Sequence, residues 1–173
     1  AQLGADKYVM PLKGTVKLKT NWAYTEFQQL FNGALLPFQN VSYGLDPQMT
    51  IKLWKRIDFA YQGSLQWSVS KQRDFPDFEN RIFSATQYIR IPFYPVKGAN
   101  ARISGRHLYT RQSVQNDLNY FFLDASARYR ILKWKTDVEL QLSNLGNIKT
   151  FQTYSISSNQ QSQNNYELRG RMA

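Results

Sequence analysis

The sequence predicts an all-β protein of about eight long antiparallel strands that run up and down in chain order. Three observations favour this fold. Apolar and polar residues alternate over most of the chain, short connections separate the alternating stretches, and no stretch of similar length repeats its apolar residues at a helical spacing. Because successive side chains of a strand point to opposite faces, each stretch is expected to form a strand with one apolar and one polar face. We expect one β-segment over residues 1–173.

The clearest strand is "IDFAYQGSLQWSVSKQ" at 57–72, whose alternation lasts more than twice the about five or six residues of an ordinary strand. Pro47 and Pro92 stand inside two of the other segments, where a residue without an N–H normally marks an edge or a bulge. The remaining alternating segments are, in order, "LKGTVKLKTNWAY" at 12–24, "NVSYGLDPQMTIKLW" at 40–54, "RIFSATQYIRIPF" at 81–93, "ARISGRHLYT" at 101–110, "FFLDASARYRIL" at 121–132 and "KTDVELQLSN" at 135–144.

Two kinds of connection alternate along the chain. Short basic connections lie at 54–56, 94–100 and 133–135, and polar tips lie at 31–37, 73–80, 113–119 and 157–165. Consecutive antiparallel strands place one kind of turn at each end of a sheet, so this order supports the up-and-down arrangement.

The composition excludes several classes of site. The chain has no cysteine, which removes disulfides and thiolate metal sites, and His107 is its one histidine, which removes histidine-based metal clusters. No phosphate-binding loop or nucleophile-elbow motif is present, so we expect neither an enzyme nor a cofactor. His107 falls among the apolar positions of its strand and is expected to have an interfacial or packed role.

The loop "RDFPDFEN" at 73–80 carries the one acidic group that could bind a cation. Asp74, Asp77 and Glu79 offer the oxygen ligands that Ca²⁺ prefers. Their spacing is not that of an EF-hand, and Arg73 and Arg81 flank them, which favours a solvated loop.

The length of the strands indicates their surroundings. Strands near 15 residues would span about 50 Å, which is too long for the core of a compact domain of this size. A transmembrane barrel strand needs apolar residues only at alternate positions, a pattern compatible with a mean hydropathy of −0.54. We therefore expect part of a transmembrane β-barrel wall, with aromatic side chains at the two membrane interfaces. The expected interfacial aromatics are Trp22, Tyr24, Trp54, Phe93, Tyr94 and Trp134.

The net charge of +10 has a predicted location on the polar, lumen-facing side of the wall. The basic side chains on this face attract anions or an acidic plug, or they simply keep the wall hydrated. Aromatic residues fall mostly on the opposite parity, whereas a nucleic-acid surface would interleave aromatic and basic residues, so no nucleic-acid partner is expected. The lumen-facing basic residues are Lys13, Lys17, Lys19, Lys52, Arg102, Arg106, Arg128 and Arg130.

The last third of the chain resembles the C-terminal barrel region of TonB-dependent receptor-like outer-membrane proteins of Bacteroidota-type bacteria. In that family a "YxxLDxxxxYR" strand leads through a short turn to a strand that ends in "NLxN", and "Y-x-L-R-x-R" opens the last strand. The matching residues here are Leu123, Asp124, Tyr129, Arg130, Asn144, Leu145, Asn147, Tyr166, Leu168, Arg169 and Arg171.

The resemblance implies nutrient uptake across the bacterial outer membrane by a barrel of about 22 strands, of which this chain would supply about the last eight. It also implies several partners: outer-membrane lipid, the rest of the barrel with its plug domain, a TonB-type energy-coupling protein and a surface lipoprotein. Barrels of this kind normally finish on an aromatic residue, whereas this chain stops at Met172 and Ala173, so a fragment is expected. Two alternatives stay open: a complete eight-stranded outer-membrane barrel with a structural or adhesive role, and a soluble β-rich binding protein.

Overall fold

The computed structural model describes residues 1–31, 33–74, 79–112, 117–156 and 161–170. Within these ranges helical structure is limited to two single 3₁₀ turns, Met10–Leu12 and Leu132–Trp134, and no helix has the length and apolar content needed to cross a membrane. The strands are β1 Gln2–Val9, β2 Gly14–Phe31, β3 Ala34–Trp54, β4 Ile57–Gln72, β5 Glu79–Phe93, β6 Ala99–Gln112, β7 Leu118–Ile131, β8 Thr136–Leu142, β9 Thr150–Ile156 and β10 Gln161–Glu167.

The first eight strands form one antiparallel sheet in the order β1 to β8, so the predicted all-β, up-and-down fold is confirmed. The strands β2 to β7 are 14 to 21 residues long. At about 3.3 Å per residue the longest, β3, spans about 70 Å. β9 and β10 pair with each other in a separate two-stranded sheet.

The strand registers place apolar side chains of neighbouring strands opposite one another. Leu45 of β3 pairs with Leu65 of β4, which in turn pairs with Ala85 of β5. Because paired residues of a sheet share a face, the alternation within each strand extends across the whole sheet. One face, called here the apolar face, carries these side chains, and the opposite polar face carries residues such as Gln66 and Ser84.

The strand prolines Pro47 and Pro92 interrupt the ladder without ending a strand. The pairing of β3 with β4 skips from Leu45 to Gln48, which spans Pro47. The pairing of β4 with β5 skips between residues 57 and 60, opposite Pro92. Proline has no N–H to donate, so each ring removes one bond while the strands continue on both sides.

Two predicted connections overlap the observed strands by several residues, and the others overlap by two residues or fewer. β2 ends at Phe31 and β3 begins at Ala34, so the predicted tip at 31–37 is wrong for 31 and for 34–37, and Gly33 lies in the turn with a φ of 83°. The predicted loop at 157–165 is wrong from Gln161 onward, where β10 begins. In both places local strand pairing satisfies backbone groups that a loop would leave to water.

The motif predicted to open the last strand is placed differently. Tyr166 is the second-last residue of β10, and Leu168 and Arg169 follow the strand, so that prediction is wrong. Leu168 donates its amide to the carbonyl of Lys149 at 2.8 Å and so closes the β9–β10 hairpin at its base. Asp77, Arg171, Met172 and Ala173 lie outside the described residues.

Candidate functional site

The described part of the chain buries few hydrophobic side chains. Only Phe38 and Ala85, at 6% and 5% exposure, are buried hydrophobic residues within it. Large apolar side chains instead remain exposed along the apolar face, although a chain of 173 residues is long enough to bury a core. Exposed residues at positions on this face include Leu3, Val16, Leu18, Trp22, Tyr24, Tyr43, Trp67, Ile103, Phe121, Val138 and Leu140.

A row of aromatic side chains crosses the apolar face from β2 to β5. Trp22 pairs with Tyr43, Tyr43 with Trp67, and Trp67 with Phe83. The rings of Trp67 and Phe83 lie 4.9 Å apart between centroids, and Tyr109 of β6 continues the contact at 5.9 Å from Phe83. Sequence reasoning identified Trp22 alone in this row, because alignment across strands depends on a register that local alternation does not specify.

A charged rim lies beyond the aromatic row, towards the long connections. Lys71 contacts Glu79 at 3.1 Å, and the guanidinium of Arg81 binds the same carboxylate. Tyr109 donates its hydroxyl to Asp117 at 2.6 Å. The rim continues to β2. There Glu26 lies 3.7 Å from Arg73 and accepts a hydrogen bond of 3.2 Å from the hydroxyl of Tyr24.

The acidic loop is not assembled as a cation site in the described residues. Glu79 is occupied by Lys71 and Arg81, and Asp74 lines an open pocket of about 560 Å³ beside Phe27 and Arg73. No cluster of three potential metal ligands is found in the part of the chain that the structure describes.

His107 lies on the apolar face of β6, opposite Gln87 and Phe121. Its Nε2 lies 2.8 Å from Oδ1 of Asn119, at a partly exposed position. The interfacial or packed role of His107 stays a prediction.

Most of the basic residues expected to face the lumen occupy the polar face. Lys17 and Lys19 pair with Gln48 and Asp46, and Arg102 pairs with Ser126. Lys52 pairs with Asp58 next to a bulge. These cations stand beside acids and amides, so this face is polar and mixed in charge.

Arg128 and Arg130 of the same set converge on one acid of the neighbouring strand. Arg130 donates to Asp137 at 2.8 Å and 3.1 Å, and Arg128 binds the same carboxylate. Lys13 is different. It lies in the turn before β2 with a φ of 44°, so the prediction that it stands within a strand is wrong. The 3₁₀ turn reverses the chain there, and β2 begins one residue later.

The cation Arg106 belongs to an aromatic cluster on the polar face. Its guanidinium lies 5.1 Å above the ring of Phe122. Phe151 of β9 contacts Tyr120 and Phe122, with centroids 5.0 Å and 5.8 Å apart, and Tyr166 lies 6.1 Å from Phe151. The cluster holds the β9–β10 hairpin against β7.

The family-motif residue Asn144 forms the junction between the main sheet and this hairpin. Its side chain accepts the amide of Ile148 at 3.0 Å and donates to the carbonyls of Ile148 and Arg169 at 2.8 Å and 3.1 Å. Leu145 donates its amide to the carbonyl of Leu123 at 2.8 Å. Asn144 and Asn147 both have positive φ, at 54° and 52°, as asparagine tolerates better than most residues. The structure therefore brings Leu123, Asn144, Leu145 and Arg169 together.

Four of the predicted interfacial aromatics lie at or beside the short turns of the sheet. Trp54 ends β3, Phe93 ends β5, Tyr94 follows it, and Trp134 stands in the 3₁₀ turn between β7 and β8. Trp54 and Trp134 are 74% and 69% exposed. By contrast, Trp22 and Tyr24 lie in the middle of β2, which continues to Phe31.

No family model, no curated protein and no solved structure matches this chain.

Proposed function

We propose that the chain is a wall segment of an outer-membrane β-barrel transporter or receptor of the TonB-dependent receptor-like kind, which takes up nutrients across the outer membrane. The observation that carries this proposal is the apolar face. It is continuous over eight hydrogen-bonded strands, and its large side chains are exposed.

Water is an unfavourable solvent for such a face. Contiguous apolar patches on soluble monomers rarely exceed a few hundred Å², and exposed apolar surface costs about 25 cal/mol for each Å². A bilayer removes this cost. It also requires every backbone group to pair within the sheet, as the long ladders of β2 to β7 do.

The order of layers along the strands also supports a membrane. The aromatic row from Trp22 to Phe83 separates the apolar middle of the face from the rim that holds Glu26, Lys71 and Glu79. Indole and phenol rings favour the membrane–water interface, and paired charges favour the water beyond it.

The free edges β1 and β8 favour a barrel larger than eight strands. In the described sheet β1 pairs only with β2 and β8 pairs only with β7, so each has one edge without a strand partner. An unpaired strand edge is unfavourable in lipid. Strands of a larger barrel would instead cover both edges.

In this function the segment performs no chemistry. The apolar face holds lipid, the polar face lines a hydrated lumen, and the long connections meet substrate outside the cell. Energy coupling by a TonB-type protein, and gating by a plug domain, belong to other parts of the assembly. A surface lipoprotein is a further partner of the same assembly.

Purification with and without a neutral detergent tests the proposal. We expect a β-type circular dichroism spectrum that requires detergent, and aggregation in plain buffer. A heat-modifiable compact band on a gel would instead favour the complete eight-stranded barrel. A monodisperse, cooperatively melting protein in plain buffer would overturn the membrane assignment in favour of a soluble binding protein.

A further inference from the structure

Basic and aromatic side chains concentrate at the end of the sheet formed by the short turns, called here the short-turn end. It comprises residues 10–13, 54–56, 94–98 and 132–135. These four segments contain six cations and no acid, and the cations are Lys13, Lys55, Arg56, Lys97, Lys133 and Lys135.

The opposite end of the sheet is electrically different. There Lys71, Arg73 and Arg111 lie within 4 Å of Glu79, Glu26 and Asp117. In the described part of the chain none of the five lysines of the short-turn end belongs to an ion pair. Their charge is therefore left for a partner.

Hydrogen bonds join two of the four segments of the short-turn end directly. Tyr94 donates its amide to the carbonyl of Arg56 at 2.9 Å, and the Arg56 guanidinium binds the carbonyl of Pro95. Arg130 of β7 donates its amide to Gly98 at 2.8 Å, next to the turn at 132–135. Adjacent hairpins of a sheet lie about 10 Å apart, so the lysines form a spaced row.

Two of these lysines occupy backbone positions that are unfavourable for lysine. Lys13 and Lys135 each end a 3₁₀ turn with positive φ, at 44° and 49°. Glycine fills two other positive-φ turn positions of this chain, Gly33 and Gly98. A strained residue that could be replaced by glycine indicates that its side chain is used.

Exposed apolar residues accompany the charges. Trp54, Trp134, Leu132 and Met10 are all at least 66% exposed. The headgroup layer of a membrane is the environment that receives an ammonium group and an indole ring side by side, because phosphates and acyl chains meet there. An anionic headgroup also complements an end without acids.

We propose that the short-turn end is a docking surface for anionic phospholipid headgroups, whose phosphates are bound by Lys13 in the turn with Met10 and by Lys135 in the turn with Trp134. This inference rests on the proposed function, and it names the lipid class that the short-turn end selects. At the opposite end of the sheet cations and acids are paired. The short-turn end is therefore the end that lies against the anionic lipid layer, which fixes the orientation of the wall in the membrane.

The test compares binding of the full chain to two kinds of vesicle. Flotation is measured with phosphatidylcholine vesicles and with equimolar phosphatidylcholine and phosphatidylglycerol vesicles, at low and high salt. We expect a preference for the anionic vesicles that declines with salt. The variant Lys13→Gly/Lys135→Gly removes two charges and relieves both strained positions. It should weaken anionic binding on the order of thirtyfold while its unfolding midpoint stays unchanged or rises.

The matched control is Lys17→Gln/Lys19→Gln, which removes two charges from the polar face and should keep the preference. Equal binding of the unchanged chain to both vesicles would overturn the inference and leave the lipid-facing wall in place. A preference retained in the glycine variant would also overturn it.

Two further outcomes would each overturn the inference in a different way. A chain that floats with neither vesicle and stays monodisperse in buffer would remove the proposed function together with the inference. If polyglutamate binds the chain in neutral micelles as tightly as the anionic vesicles do, and with the same loss in the glycine variant, the partner is an acidic peptide and the inference is wrong.

Discussion

The backbone amide of Asn144 donates a hydrogen bond of 2.8 Å to Oδ1 of Asp124, across the strand pair that ends there. β8 stops at Leu142, so this bond replaces the next step of the ladder with β7. The chain then turns through two asparagines at positive φ and starts the β9–β10 hairpin. The carboxylate of Asp124 thus binds the backbone at the point where the chain leaves the main sheet.

Replacing Asn144 should loosen this junction. Asn144→Ala removes three side-chain hydrogen bonds from a buried position with positive φ, and we expect the free energy of unfolding to fall by about 2–4 kcal/mol. Asn144→Gly is the matched variant, because it loses the same bonds but accepts the backbone conformation. It should be less destabilised by about 1 kcal/mol, measured by urea unfolding in neutral micelles. Equal stability of both variants would contradict the role given to the backbone conformation.

The aromatic cluster should hold the hairpin independently of the main sheet. Phe151→Ala removes the ring that contacts Tyr120, Phe122 and Tyr166, and should cost about 2 kcal/mol of local stability. Hydrogen exchange should accelerate for amides of β9 and β10 and stay unchanged in β3 to β5. Tyr120→Phe is the milder control, since it removes only the acceptor of the Gln152 amide. Uniform acceleration across all strands would show that the hairpin is not a separate unit.

Neighbouring positions on opposite faces should respond differently to charge. Leu65 lies on the apolar face between Leu45 and Ala85, and Gln66 lies on the polar face. Leu65 lies one same-face position from Trp67 of the aromatic row. Leu65→Lys should therefore lower the free energy of unfolding in a bilayer by about 1–3 kcal/mol, between the cost of a lysine at the interface and at the midplane. Gln66→Lys should change it by less than about 0.5 kcal/mol. Similar effects at both positions, in unfolding titrations from phosphatidylcholine vesicles, would be incompatible with a lipid-facing and a wet side.

The aromatic row should lie within reach of lipid. A variant that keeps Trp67 as its single tryptophan, with Trp22, Trp54 and Trp134 replaced by phenylalanine, should be quenched by lipids brominated near the headgroup end of the acyl chain. Trp67 stands on the apolar face against Phe83, which gives the expected contact with lipid. The same protein should be protected from iodide in the water. Strong iodide quenching with no effect of bromine would place this row in solvent.

Part of the candidate site could be derived from the sequence, because it depends on parity alone. Lys17, Lys19 and Arg102 stand on the polar face as expected, since side chains alternate in any strand whatever its neighbours are. Trp54 and Trp134 stand at the short turns, and the positions of these turns follow from where the alternation stops, which is also a local property of the sequence. Lys13 departs from parity because it caps a 3₁₀ turn and precedes the first residue of β2.

The amino-acid sequence by itself determined the strand class, the up-and-down order and the division into an apolar and a polar face, because alternation and turn spacing are local properties. Only the tertiary structure decided which aromatics align from Trp22 to Phe83, which cations share Asp137, and how Asn144 joins β8 to the hairpin. These relationships depend on strand register and on contacts between residues far apart in the chain. A shift of one residue between strands would keep the alternation of each strand and change every one of these partners.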